Sequence, residues 1–185
     1  MTFPIRPRQK NLSAAIKAAH RQDGGVVATE FALILPVLLL ILMGVIELTN
    51  ALQAERKLLN ATQTVADLIG QKTDLTTADL NDIYLAANLT LSPLSTVGYT
   101  IGVASVRFDD LTGDPVVDWS GTYNGGSVFE PLVKAVGRGE PGASIIMVTS
   151  TYIYQPLIKL IIPVNLTLSE TSYVRPRKVS YVAKF

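Results

Sequence analysis

Val26-Val-Ala-Thr-Glu30-Phe-Ala-Leu-Ile-Leu-Pro36-Val-Leu-Leu-Leu-Ile-Leu-Met-Gly-Val-Ile46 is the stretch on which the fold turns. Residues 31–46 carry no charge; as a helix they reach about 24 Å, short of the ~30 Å hydrocarbon core of a bilayer. Begun at Val26, the run reaches about 31 Å and is long enough to cross. The longer run includes Glu30, and a carboxylate in the apolar zone costs on the order of 2–3 kcal/mol. A partner for that charge is therefore expected. Pro36 removes one helical hydrogen bond and kinks the helix, which membrane helices tolerate when neighbours help.

The flanks of the run differ in sign. Residues 1–25 hold Arg6, Arg8, Lys10, Lys17 and Arg21 against Asp23, a balance of +4. Residues 47–185 hold 11 Lys/Arg against 13 Asp/Glu, a balance of −2. A basic leader before an apolar run and a mildly acidic body after it follow the positive-inside rule, with the leader cytoplasmic. A removed secretory signal is the competing account. The run is long for one, no small-x-small cleavage site follows, and residues 47–59 continue as helix without Gly or Pro. A retained single span is the expectation.

Gly24-Gly25-Val26-Val27-Ala28-Thr29-Glu30-Phe31-Ala32-Leu33-Ile34-Leu35-Pro36 resembles the start of the TadE-like family, minor pilin-like proteins of the bacterial tight-adherence (Flp) pilus and secretion system. The resemblance implies that prepilin peptidase, a membrane aspartyl peptidase, cuts between Gly25 and Val26. Glu30 then stands fifth in the mature chain with Phe31 beside it, as in type IV pilin-like precursors. A weaker resemblance reaches Tyr152-Ile-Tyr154-Gln-Pro156-Leu157 and Arg175-Pro176-Arg177. Cleavage would free an α-amine at Val26 with an ordinary pKa of about 8. Pairing of that amine with Glu30 of a neighbouring subunit would relieve both burial costs and set the axial register of adjacent helices. The alternative is that Glu30 snorkels to the interface and pairs with Arg21 or lipid.

Beyond the span, the helix reads as amphipathic, with Leu48, Leu52, Leu59, Val65 or Ala66, and Ile69 on the apolar face and Gly70 as its stop. A second helix is expected from Thr76 as N-cap, with Asp79 three residues on and Leu80, Ile83, Tyr84 and Ala87 as its apolar face. From residue 96 the pattern turns to β: a long strand over 97–108, a turn over 109–115 and a return at 116–119. Gly121–Gly126 and Gly137–Gly142 read as loops, and Ser127 to Glu130 as a capping box opening a short helix to Val136. Residues 144–157 form the strongest strand, and 166–175 the last one. Lys159 and Pro163 argue against a second span over 157–168. The acid-rich turn 109–114 departs from calcium-loop spacing and reads as a solvated hairpin tip. Half-buried sheet packing accounts for the tyrosines.

Composition narrows the chemistry. The 185 residues include no cysteine and one histidine, His20, which lies in the leader. Thiolate metal sites, disulfides, cysteine nucleophiles and histidine triads cannot be built, and no nucleophile elbow, phosphate loop or dinucleotide fingerprint occurs. No metal or cofactor is expected, and the basic leader is no nucleic-acid surface because the body lacks a basic stripe. The expected fold is α+β and pilin-like. It comprises a cytoplasmic leader (1–25), a transmembrane helix (26–46), a helical stalk (47–95) and a periplasmic α+β domain (96–185) with a small antiparallel sheet. The expected function is non-enzymatic: a minor subunit or assembly factor of the Flp pilus in the bacterial inner membrane and, once assembled, in the pilus. Its partners would be prepilin peptidase, other pilin-like subunits, the Tad assembly machinery and membrane lipid. The rival is an uncleaved single-span periplasmic sensor or scaffold.

Overall fold

The structure, a computed structural model, describes residues 24–185. The basic leader, with His20 and Arg21, lies outside the described residues. The chain divides into two compact units, one ending at Gly44 and the other Val45–Phe185. Helix α1 runs Gly24–Gly70 with Pro36 inside it; then come β1 (Asp74–Leu75), α2 (Thr77–Leu91), β2 (Tyr99–Phe108), β3 (Pro115–Tyr123), α3 (Pro131–Ala135), β4 (Ser144–Tyr154), β5 (Leu166–Val174) and β6 (Ala183–Lys184). The class is α+β, as the sequence indicates.

The second unit is built on an antiparallel sheet in the order β3-β2-β4-β5. Along β4 the side chains alternate: Ile146, Val148, Tyr152 and Tyr154 join the main core, while Ile145 and Met147 join a smaller one on the other face. The main core is completed by Ala54, Leu58, Ala61, Val65 and Ile69 of α1 and by Leu80, Ile83, Tyr84 and Ala87 of α2. Each fully buried Leu or Ile contributes on the order of 1.5–3 kcal/mol. Helix α2 begins where the sequence indicates: Thr76 Oγ1 accepts from Asp79 N, and the Asp79 carboxylate accepts from Thr76 N, a reciprocal cap.

Two readings are corrected. Of the expected apolar face of α1, Val65, Ala66 and Ile69 are buried, but Leu48, Leu52 and Leu59 are exposed; the buried face is completed instead by Glu47, Ala54, Leu58, Ala61 and Thr62. Steps of three and four fit both faces, so the spacing by itself does not choose between them, and packing in the core does. The capping box at Ser127 also does not form. Helix α3 starts at Pro131, and its N-cap is Glu130, in the left-handed region (φ 46°) with no side-chain cap bond. The Ser127 backbone is instead pressed against β2, where a Cβ on Gly102 would come within 2.2 Å of Ser127 C.

Other differences are smaller. Strand β3 continues to Tyr123, through residues read as loop, and β2 carries a register shift between Ser105 and Val106 opposite it. A short parallel pair, β1 with β6, was not visible in the sequence. The tail is held by Trp119 Nε1 donating to Val182 O (2.7 Å) and by Phe185 N donating to Leu75 O (2.9 Å).

At Gly102, as at Gly126, a side chain cannot be accommodated, because the opposing atoms are backbone. Gly102→Ala is expected to destabilise the protein by roughly 2–3 kcal/mol through overpacking, whereas Leu111→Ala at the exposed hairpin tip should be neutral. Thermal unfolding of both variants of the detergent-solubilised chain, followed by circular dichroism, checks this.

Candidate functional site

Two groups of residues need a functional account: the start of α1, and a carboxylate at the end of its apolar run. At the start, Gly25 and Val26 are within the helix, and a Cβ on Gly25 would meet nothing within 4 Å. Thr29 Oγ1 donates to Val26 O (2.8 Å), closing the first turn. Val26, Glu30, Phe31 and Pro36 are all exposed. Val26 and Glu30 are four residues apart and share one helix face. No hydrogen bond or ion pair of Glu30 is found among the described residues, and its expected alternative partner, Arg21, lies outside them. An exposed carboxylate on an otherwise apolar helix surface can do one thing chemically: attract a cation brought by another molecule or by the interface.

Sequence reasoning missed Glu47. It directly follows Ile46, the last residue of the apolar run, and it is 0% exposed. Glu47 Oε1 accepts from Tyr154 Oη (2.7 Å) and from Leu157 N (3.3 Å), and Oε2 accepts from Ile158 N (2.8 Å). The Tyr154 hydroxyl, above all, holds the Glu47 carboxyl below its ordinary value; desolvation opposes this, and the Ile158 and Leu157 amides add to the lowering. The Tyr154 hydroxyl is pushed up to about 12 by burial and by the neighbouring carboxylate. The carboxylate therefore replaces its lost water with three donors, and it stands at the head of a turn in which Ile161 N and Ile162 N both reach Ile158 O. It caps that turn from a distant helix. The signal for this role was the spacing of Glu47 with Ala54, Leu58, Ala61, Val65 and Ile69.

Beside this tie lies a groove of about 590 Å³, lined by Asn50, Gln53 and Lys57 of α1 and by Tyr152, Tyr154 and Leu157, among others. Lys57 Nζ donates to Ser92 O. The hairpin tip behaves as a solvated turn: Asp109 Oδ1 accepts from Leu111 N and Thr112 N (both 2.9 Å). Among the described residues no cluster of His, Asp and Glu could hold a metal.

Among the described residues one helix is long and apolar enough to cross a membrane, and it leads into a small α+β unit, an arrangement compatible with a membrane-anchored protein. Residues 25–67 match the family model of TadE-like protein, which relates this helix to proteins of the Tad pilus. The match stops before Tyr152 to Leu157 and Arg175 to Arg177, where the sequence carries the weaker resemblance. No curated protein and no solved structure is significantly similar to the chain.

Tyr154→Phe removes the strongest donor to Glu47 and should cost about 1–3 kcal/mol, the penalty of an under-bonded buried acceptor. Because folding lowers the Glu47 pKa, its contribution is complete above the ordinary carboxyl value and is lost as pH falls through the lowered one. Neutral Tyr154 contributes fully below the ordinary phenol value, and its contribution is lost as pH rises towards about 12. Denaturant unfolding of wild type and Tyr154→Phe across the acid range should show the two curves converging as pH drops.

Proposed function

We propose that the protein is a minor pilin-like subunit or assembly factor of the Flp/Tad pilus, made as a precursor and cut by prepilin peptidase between Gly25 and Val26. Residues 26–46 hold it in the inner membrane, with the basic leader in the cytoplasm and the chain from Glu47 on in the periplasm. It acts by assembling with other pilin-like subunits through the Tad machinery, with no catalytic step of its own. One coincidence supports the reading best. The family match begins at Gly25, with the bond to Val26 next to it and an exposed Glu30 fifth after that bond. Phe31 beside Glu30 and Pro36 further along the same helix complete the pattern.

The chemistry follows from charge. Cutting at Gly25 creates a cationic amine at Val26, and Glu30 supplies an anion on the same helix face. In an isolated subunit each is costly in the apolar zone. In an assembly the amine of one helix meets the carboxylate of the next, and the pair is satisfied only at one axial offset. Glu30 therefore serves as a register residue.

Mass spectrometry of the protein from a piliated host should find a mature N-terminus at Val26, and a bulky residue at Gly25 should leave the precursor about 25 residues longer. Intact residues 1–185 alone in the wild type would overturn the reading.

Glu30→Gln keeps size and polarity while removing the anion. Cleavage should continue, and assembly should weaken by about 1–3 kcal/mol per contact, the cost of an unpaired buried group. Co-purification of partner pilins and counts of surface pili check it. Full piliation by the variant would refute the register role.

A further inference from the structure

We propose that residues 157–164 form an interfacial loop that dips its apolar side chains into the bilayer surface, giving the domain a second membrane contact beside its span. The proposal rests on the reading of residues 26–46 as a membrane span, and it goes beyond that reading in assigning a lipid contact to a segment outside it. The position of the loop follows from covalent continuity. Glu47 is the residue after Ile46, where the apolar run ends, so whatever its side chain holds is held at the hydrocarbon boundary. Its carboxylate holds Leu157 N (3.3 Å) and Ile158 N (2.8 Å), the first amides of the loop. The tie is buried and made three times over with Tyr154, so the loop cannot leave that level without exposing an unpaired carboxylate.

The surface chemistry suits lipid. Leu157, Leu160 and Val164 are 79%, 75% and 62% exposed, although Ile158, Ile161 and Ile162 between them are partly covered. Large aliphatic side chains this bare on one short segment have no reason to face water. Lys159 is exposed among them; a long stem with a cationic end can lie along acyl chains while its ammonium reaches headgroup phosphate. Four amides of the segment are satisfied within the protein, Leu157 and Ile158 by Glu47 and Ile161 and Ile162 by Ile158 O, and the headgroup region can hydrate the others, so the loop is suited to the interface and not to the hydrocarbon core. An apolar segment of this kind settles about 5–10 Å into the boundary between headgroups and acyl chains.

The hairpin tip provides an internal control. Tyr99 pairs with Tyr152 and Arg107 with Ser144 along β2 and β4, so the tip at 109–114 lies at the opposite end of the sheet from Tyr154, about 30 Å away along the strands. Leu111 there is barer than Leu160 but carries no tie to the span. Exposure alone therefore does not distinguish the two positions, whereas bilayer contact does.

Because the chain has no cysteine, single-cysteine variants Leu160→Cys, Leu111→Cys and Leu39→Cys of the full-length protein can each carry an environment-sensitive fluorophore. They are reconstituted into phosphatidylethanolamine–phosphatidylglycerol vesicles with and without brominated lipid. The label at 160 should be blue-shifted and quenched severalfold more strongly than that at 111, and the label at 39 should be quenched as a probe within the span. Quenching at 39 but not at 160 overturns the loop proposal and leaves the span intact. Loss of quenching at 39 overturns the span reading, and the loop proposal with it. A label at 160 that is shielded from water yet unquenched by brominated lipid also overturns it, since the loop would then be covered by protein.

Discussion

A carboxylate stands where an apolar helix run ends, and the fold is arranged so that it never lacks a donor. Glu47 is fully buried, and a buried, unpaired carboxylate would be far too costly to keep ionised. Tyr154 at the end of β4 and the amides of Leu157 and Ile158 supply what water would have supplied. The central strand, the helix that leads to the apolar run and the connection to the last strand are thereby joined at one point. Displacing any of them strands the charge.

The phase of α1 has a consequence for its remaining surface. With Glu47, Ala54, Leu58 and Ala61 committed to the core, Leu48 at 57% and Leu52 at 46% exposure are left outward. They extend the apolar surface of residues 31–46 past the end of the run. An exposed apolar helix surface of that kind marks a contact with lipid or with protein. The other end of the unit is finished differently: the tail is pinned by Trp119 and Leu75, and Asp67 and Arg177 form an exposed ion pair (2.9 Å) that contributes little in water.

Several elements could be read before any coordinates because their causes are local. The Thr76/Asp79 cap is a four-residue event, and it opens α2 at Thr77. Pro156 and Gly70 stop elements through their own backbone chemistry, and β4 declares itself by its β-branched and aromatic content. Glu30 was conspicuous because it is a lone charge in an apolar run. Glu47 was not, because a glutamate just beyond such a run looks like an ordinary solvated residue. Ser127 to Glu130 had the residue types of a cap, but the close approach of β2 at Gly102 claimed that backbone first. Local propensity lost to packing there, as it did for the face of α1.

The amino-acid sequence by itself determined the apolar run with its acid at position 30, the Gly25–Val26 bond before it, the α+β order of elements and the absence of cysteine chemistry. Each depends on residue type and short-range spacing, which the chain carries whatever its fold. Tertiary structure alone decided which helix face is inside, that Glu47 is bonded by Tyr154 across 107 positions, and that the same carboxylate accepts from the amides of Leu157 and Ile158. Those outcomes depend on which surfaces meet, and there a side chain's burial is set by its distant neighbours as well as by its own identity.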